Sequence, residues 1–208
     1  MGTRNCVDLY LIRHGVTAWN LEKRYLGWSD QPLDPAADQA LTRLADELVF
    51  TSFTEVYTSG MKRTNETLRK VAPQPFIEDL RLRELHFGGF EGFTYDELKE
   101  DNRYRRWVDD PCEETPPAGE SWIDFVRRVD EFVDERLVQA GGEKLLIVAH
   151  GGVIRRVVSR FSEDHGFWDT KIPAGEGLAM RLEAEEGGWR CSSLWAVPGQ
   201  ENVTSPHL

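Results

Sequence analysis

Two apolar runs in this 208-residue chain each end at a histidine. Residues 7–12 are followed by Arg13 and His14, and residues 144–149 are followed by His150. Short and nearly continuous apolar runs are typical of strands that are buried on both faces. Imidazole nitrogens can act as nucleophiles, acids or bases, and guanidinium groups bind anions. The two runs therefore indicate a reactive anion site at the ends of two buried strands.

Arg63 is a further cationic candidate for this site. It falls in the first turn of a helix predicted over residues 62–71, shortly after a strand-like run at 55–59. In open parallel sheets, ligands bind beyond the carboxyl ends of the strands. We therefore expect Arg63 at the same edge as His150 and Gly151. The backbone N–H groups at a helix start add attraction for an anion there.

A phosphoryl group fits this set of side chains. It carries up to two negative charges and offers bidentate geometry to guanidinium groups. A neutral imidazole nitrogen is a nucleophile, so His14 is predicted to take the phosphoryl group covalently and to divide one displacement into two. The charge that develops on the phosphoryl oxygens would be stabilised by Arg13, Arg63 and His150.

The leaving oxygen needs a proton donor, and Glu84 is the best candidate. A carboxyl group beside the reacting atoms can act first as an acid and then as a base. Glu91 and His86 are nearby alternatives that sequence spacing does not separate from it. A structural role is also open, in which Glu84 forms an ion pair with Arg81 or Arg83.

The elements that would position these residues alternate along the chain. Amphipathic patterns predict helices over residues 36–50, 62–71 and 121–140. Strands that alternate with helices are typical of an α/β fold, here a three-layer sandwich whose mostly parallel central sheet has helices on both faces. The segments 177–183 and 189–195 predict an antiparallel hairpin added to that sheet.

The length and the 40% content of apolar residues favour one domain over residues 1–208. Residues 83–120 lack a regular pattern and are predicted to form a lid or specificity segment, while residues 198–208 form a loosely held tail. Aromatic side chains in and next to the lid are either core residues or a platform for a ring of the substrate. They are Phe87, Phe90, Phe93, Tyr95, Tyr104, Trp107 and Trp122.

Charge and cysteine use limit the partners and the compartment. The 25 basic and 36 acidic residues give a net charge of −11, which argues against nucleic-acid and anionic-membrane partners. No apolar run approaches the length that spans a bilayer. The three cysteines, Cys6, Cys112 and Cys191, are widely spaced, and there is no signal-peptide pattern. The sequence therefore predicts a cytoplasmic protein, monomeric or homodimeric.

Several separated motifs together resemble the histidine phosphatase superfamily, also called phosphoglycerate-mutase-like, over almost the whole chain. The blocks are LIRHGVTAWN at 11–20, GWSDQPL at 27–33, YTS at 57–59 with KR at 62–63 and ET at 66–67, LRE at 82–84, FGGFEG at 87–92 and AHGGVIR at 149–155. One block alone would be weak evidence for the family, but here the blocks occur together and in the family's order.

This resemblance implies roles for particular residues. His14 would be the phosphorylated nucleophile and Glu84 the proton donor. The implied phosphate pocket is lined by Arg13, Asn20, Arg63 and His150. A cap of a helix or turn is the alternative role for Asn20. The resemblance also implies that no metal ion or cofactor takes part.

Hydrolysis of small phosphate esters, with release of inorganic phosphate, is the expected reaction. The stretch between Glu84 and His150 is short beside the insertion of the mutases that the chain resembles. The stretches 107–111 and 116–121 are similar to α-ribazole phosphatases, and broad-specificity phosphatases share much of this pattern. A cofactor-dependent phosphoglycerate mutase and a catalytically silent phosphate- or phosphopeptide-binding module of the same fold are the alternatives.

Overall fold

A computed structural model describes residues 5–138 and 141–199, which contain one six-stranded sheet. The strands are β1 (Cys6–Arg13), β2 (Glu55–Thr58), β3 (Ile77–Glu78), β4 (Lys144–Ala149), β5 (Gly177–Glu185) and β6 (Gly188–Val197). Their order across the sheet is β3-β2-β4-β1-β5-β6. The pairs β2–β3, β2–β4 and β1–β4 are parallel, and the β5–β6 hairpin joins β1 in antiparallel direction. The mostly parallel sheet and its added hairpin are confirmed.

Helices cover both faces of this sheet. They are α1 (Ala18–Leu21), α2 (Asp38–Leu48), α3 (Lys62–Val71), α4 (Tyr95–Leu98), α5 (Asn102–Asp109), α6 (Trp122–Val138) and α7 (Gly151–Phe161). Alternate residues of β4 point to opposite faces. Leu145 and Ile147 belong to the core cluster that contains α6 and α7, whereas Leu146 and Val148 belong to the one that contains α2 and α3. The predicted three-layer α/β architecture is therefore confirmed.

Several element boundaries differ from the sequence prediction. The helix predicted over 36–50 is a 3₁₀ turn at Pro35–Ala37 followed by α2, which ends at Leu48. Val49 and Phe50 extend its apolar stripe, but their side chains are exposed. Helix α7 is absent from the predicted elements because the glycines at its start resemble a turn. Of the helix predicted over 121–140, residues 139–140 lie outside the described part.

The segment 83–120 is more ordered than its sequence suggests, because it contains α4 and α5. Tyr104 and Trp107 of α5 are buried, and their rings lie 5.7 Å from the ring of Tyr25. The hydroxyl oxygens of Tyr25 and Tyr104 are 2.7 Å apart. Segment 83–120, called the lid segment after its predicted role, is thus anchored on the body of the protein by an aromatic cluster.

None of the helices within the described residues has the length and apolar character needed to cross a membrane. The predicted loose tail falls almost wholly outside the described part, which ends at residue 199.

Candidate active site

The site lies where three neighbouring parallel strands end. Arg13 of β1 pairs with Ala149 of β4, and the backbone N–H of His14 donates to the carbonyl of Ala149 at 3.1 Å. On the other side of β4, Thr58 of β2 pairs with Val148. The residues that follow these strands are His14, Ser59 and His150, so the sheet register brings them together. This agrees with the expected location beyond the carboxyl ends of the strands.

His14 is held in one orientation and one protonation state. Its side chain is buried, and its Nδ1 lies 2.7 Å from the carbonyl oxygen of Gly15. A carbonyl only accepts, so Nδ1 carries the proton and Nε2 keeps its lone pair. Burial, followed by the charges of Arg63 and Arg13, lowers the pKa of His14 well below its ordinary value. The imidazole is therefore neutral and has a free nucleophilic nitrogen.

The ring of His150 lies 5.1 Å from the ring of His14. Its Nδ1 is 3.3 Å from Nη2 of Arg63, and its Nε2 is 2.8 Å from Oγ of Ser59. Burial, followed by the charge of Arg63, lowers the pKa of His150 well below its ordinary value. Both ring nitrogens thus contact protein groups, a connection to Arg63 and Ser59 that the sequence did not indicate.

Arg63 is completely buried against a loop of the same site. Its Nη2 donates to the carbonyl of Gly27 at 2.6 Å, and its Nη1 donates to the carbonyl of Ser29 at 2.9 Å. Burial lowers the pKa of Arg63 to about 10, which leaves it charged at neutral pH. The Nε of Arg63 is buried and has no hydrogen-bond acceptor among the described residues.

Arg13 supplies a second cation from the end of β1. Its Nη1 donates to the carbonyl of Ile172 at 2.8 Å, and burial lowers its pKa. Its Nε, like that of Arg63, is buried and finds no acceptor in the described part of the chain. Buried donors without partners are uncommon in folded proteins. Two of them beside a neutral histidine are suited to the oxygens of an anion.

The side chain of Glu84 reaches the same site and contacts the first turn of α7. Its Oε2 accepts from the backbone N–H of Gly152 at 3.0 Å, and its Oε1 accepts from that of Leu85 at 3.0 Å. Its charge acts on both site arginines, opposing the fall in the pKa of Arg13 and of Arg63. A carboxylate at a helix N-terminus is also favoured by the helix dipole.

The alternative ion pairs of Glu84 do not form. Arg81 instead binds Asp79 at 2.6 Å and Glu135 at 2.8 Å. The guanidinium carbon of Arg83 lies 5.1 Å from the ring centre of Trp28. Glu84 is therefore placed by backbone N–H groups of the site rather than by a salt bridge of the lid.

Glu91 and His86 support the loop that holds Arg63. Glu91 accepts from the backbone N–H groups of Trp28 at 2.8 Å and of Ser29 at 2.7 Å. The ring of His86 stacks on Trp28 with the ring centres 4.8 Å apart. The contacts of Glu91 and His86 are therefore those of structural residues that hold the loop at Trp28 and Ser29 in place.

Asn20 and Gly151, the remaining predicted site residues, make different contributions. The side-chain oxygen of Asn20 accepts from the backbone N–H of Thr17 at 3.1 Å, which forms a capping box at α1. Gly151 begins α7, and a methyl group placed on it would lie 3.8 Å from Nε of Arg13. Gly151 therefore borders the cationic site, while the contacts of Asn20 are those of a helix cap.

Arg128 is a supporting residue that the sequence gave no reason to single out from other basic surface residues. From α6 it forms a bidentate pair with Glu120, at 2.6 and 2.8 Å. It also donates to the carbonyls of Arg81, Arg83 and Glu84. Arg128 thus joins both ends of the lid segment to one helix, and it fixes the backbone at Glu84.

A cavity of about 230 Å³ opens beside Glu84 and Gly152. Its aromatic lining consists of Tyr25, Phe87, Trp107, Trp122, Phe167 and Trp168. Three of the seven aromatic candidates, Phe87, Trp107 and Trp122, therefore face this cavity, whereas Phe90 and Tyr104 are core residues.

Arg155 is the cation of this cavity. Its Nε donates to the carbonyl of Thr170 at 2.9 Å, and its guanidinium carbon lies 6.0 Å from the ring centre of Phe167. No carboxylate pairs with Arg155 within residues 5–138 and 141–199. Its charge contributes to the lowered pKa of Arg13, which places it near the anion site.

Known proteins that are similar to this chain carry phosphoglycerate mutase and phosphatase names. The chain is 30% identical over 203 residues to "Probable phosphoglycerate mutase GpmB" of Serratia proteamaculans, covering 95% of this chain and 94% of that protein. It is 35% identical over 162 residues to "2,3-bisphosphoglycerate-dependent phosphoglycerate mutase 2" of Gloeobacter violaceus, covering 72% and 73%. Among solved structures it resembles a putative alpha-ribazole-5'-P phosphatase of Escherichia coli with a TM-score of 0.80 and 25% identity, covering 90% and 95%.

The family profile covers nearly all of the described chain, including every residue of the site. The profile of the Histidine phosphatase superfamily (branch 1) matches residues 9–196. The cationic strand-end site and this match agree, and the chain belongs to the histidine phosphatase superfamily.

Proposed function

We propose that this protein is a metal-independent phosphomonoesterase that forms a phosphohistidine at His14. The observation that carries this proposal is the neutral His14, whose unprotonated Nε2 lies in a buried site with Arg13 and Arg63. A nucleophile of this kind needs no metal-bound hydroxide, because the attack comes from the imidazole itself.

In the first step, Nε2 of His14 attacks phosphorus while the bond from phosphorus to the ester oxygen breaks. The proton of the Glu84 carboxyl group passes to the leaving oxygen, so the alcohol departs neutral. Arg13 and Arg63 stabilise the charge on the phosphoryl oxygens. In the second step, water attacks phosphorus, Glu84 takes a proton from that water, and the bond to Nε2 breaks. Inorganic phosphate and the original enzyme result.

The cavity beside Glu84 favours a leaving group that contains a ring. Its aromatic lining would stack on an apolar or heteroaromatic ring better than on a compact, doubly charged group. α-Ribazole 5′-phosphate is such an ester, since it carries a benzimidazole on its ribose. The likeness to a structure described as a putative alpha-ribazole-5'-P phosphatase agrees with this choice.

Phosphoglycerate mutase activity is the second candidate, and Arg155 is the observation that favours it. An unpaired guanidinium in the cavity would suit the carboxylate of a phosphoglycerate. Several relatives carry phosphoglycerate mutase names. A mutase would return the phosphoryl group from His14 to another hydroxyl of the substrate instead of to water.

The deciding experiment compares the wild-type protein with His14→Ala on three substrates in the presence of a chelator. We expect the wild type to release phosphate from p-nitrophenyl phosphate and from α-ribazole 5′-phosphate, and His14→Ala to release none. The third substrate is 3-phosphoglycerate, with and without 2,3-bisphosphoglycerate. Accumulation of 2-phosphoglycerate without equivalent phosphate release would identify a mutase. Equal rates in both proteins would contradict a phosphohistidine at His14, and no activity on any ester would leave only a phosphate-binding role.

A further inference from the structure

A chain of buried hydroxyl groups leads away from His150. Oγ of Ser59 lies 2.8 Å from Nε2 of His150, and Oγ1 of Thr64 lies 3.0 Å from Oγ of Ser59. The chain ends at the backbone carbonyl of Met61, 2.8 Å from Oγ1 of Thr64. The side chains of His150, Ser59 and Thr64 are all fully buried, so water does not compete for these hydrogen bonds.

The direction of every hydrogen bond in this chain follows from its last link. A carbonyl oxygen only accepts, so the single hydroxyl proton of Thr64 is donated to Met61. Oγ1 of Thr64 can then only accept, and the proton that it accepts is the hydroxyl proton of Ser59. Oγ of Ser59 is left as an acceptor, and the remaining donor within reach is an N–H at Nε2 of His150.

The other nitrogen of His150 is consistent with this direction. Nδ1 faces Nη2 of Arg63 at 3.3 Å, and a guanidinium nitrogen only donates. A proton on Nδ1 would place two donors against each other and would leave Nε2 without a proton for Ser59. Burial and the nearby charge of Arg63 also disfavour a doubly protonated ring.

We propose that Ser59 and Thr64 fix the tautomer of His150, holding its proton on Nε2 so that Nδ1 accepts from Arg63. His150 then acts as a positioning residue, and its acceptor nitrogen orients the guanidinium group that faces the phosphoryl oxygens. The catalytic consequence rests on the proposed function, whereas the tautomer itself is a property of the resting protein.

Nitrogen NMR of histidine-labelled protein tests the tautomer directly, with the His150 signals assigned by their loss in His150→Asn. At neutral pH we expect a protonated, pyrrole-type Nε2 and an unprotonated, pyridine-type Nδ1. A proton on Nδ1, or a doubly protonated ring, in the wild-type protein would overturn the proposal without any activity assay.

Thr64→Val tests the origin of the tautomer, because valine fills the volume of threonine but removes the hydroxyl. The Ser59 hydroxyl then loses its acceptor and turns toward Nε2 of His150, so a protonated Nδ1 should appear. Arg63 then loses the acceptor nitrogen of His150 and keeps only the carbonyls of Gly27 and Ser29. We expect kcat to fall roughly 10-fold to 100-fold, the range for a buried polar group that loses a partner. Thr64→Ser restores the hydroxyl and should restore both readouts.

Thr58→Val is the matched control. Thr58 is also fully buried, and its Oγ1 donates to Oδ1 of Asn65 at 2.6 Å, outside the chain that ends at His150. It should lower the melting temperature and leave the His150 nitrogen shifts as in the wild type. Wild-type shifts and wild-type kcat in folded Thr64→Val would contradict the proposal. If the wild-type protein has the expected tautomer but hydrolyses no ester, the proposed function fails and the tautomer assignment stands.

Discussion

At the scale of single residues, the chemistry depends on keeping two histidines neutral inside a cationic site. Both rings are buried, and burial is the largest cause of the lowered pKa of His14 and of His150. The hydrogen bond from Nδ1 of His14 to Gly15 then decides which nitrogen is free to react. The same arrangement would repel a cation, and it suits the anionic group that the proposed function requires.

Stability should fall as the pH is lowered through the ordinary pKa of histidine. The unfolded chain binds protons at His14 and His150 below about pH 6.5, whereas the folded protein does not until the pH is far lower. Stability is therefore full above that pH and is lost below it. Urea unfolding should show a slope that approaches two protons, about 2.7 kcal/mol per pH unit.

The variant His14→Asn removes one of these two groups, so it should reduce the slope by about half. A slope that His14→Asn leaves unchanged would show that other groups cause the acid sensitivity.

Glu84→Gln should impair esters in proportion to how much their leaving groups need a proton. We expect a loss of roughly 100-fold or more for alkyl esters and a much smaller loss for p-nitrophenyl phosphate, whose leaving group departs as an anion. Rapid-quench rates of the first step on both substrates check this, because the steady-state rate also contains the water step that Glu84 is proposed to assist. Glu91→Gln is the comparison, because Glu91 holds the backbone of Trp28 and Ser29. The acid role would move to Glu91 if only that variant showed dependence on the leaving group.

At the scale of elements, the start of α7 and the carboxyl group of Glu84 fit tightly. A methyl group on Gly152 would lie 2.2 Å from Oε1 of Glu84 and 3.2 Å from its Cδ, so one of them must move. Gly152→Ala should therefore displace Glu84 and reproduce the leaving-group dependence of Glu84→Gln in a folded protein. For Gly151→Ala the nearest atom would be 3.8 Å away, so it should lose far less activity. Equal activity of the two alanine variants would contradict this account of the helix start.

Arg128 is expected to stabilise the lid through its hydrogen bonds from α6. Its side chain and that of Glu120 are 14% and 13% exposed, so Arg128→Ala leaves a mostly buried carboxylate without its partner. We expect a loss of about 3 kcal/mol in the free energy of unfolding. The neighbouring Arg127 is exposed and pairs with Asp124 on the same helix, so Arg127→Ala should stay within about 0.5 kcal/mol of the wild type. Similar losses in the two variants, measured by urea unfolding, would argue against this role.

At the scale of the whole molecule, the strands buried on both faces were the most predictable elements. The run 144–149 matches β4 residue for residue, because burial on both faces leaves little room for polar side chains. Strand β3 is only two residues long and exposed, so no pattern predicts it. The predicted end of the helix at residue 50 was wrong, because Val49 and Phe50 continue an apolar stripe that the fold does not bury.

The site was predictable where it depends on strand ends and less so where it depends on side-chain contacts. His14 and His150 follow directly from the sheet, and Arg63 follows from its helix start. The hydrogen bond between Ser59 and His150 joins residues 91 positions apart, and local sequence patterns carry no signal for it. The contacts of Asn20 are local, and they match the capping alternative.

The most direct test of the central claim is a rapid-quench experiment on Glu84→Gln with p-nitrophenyl phosphate labelled on phosphorus, because this leaving group needs no proton from Glu84 in the first step. Glu84 is proposed to activate the water of the second step, so this variant should accumulate the intermediate. We predict a label that is stable in alkali, labile in acid and located on the peptide that contains His14. Phosphate release with no label on the chain, or a label on another residue, would contradict covalent catalysis by His14.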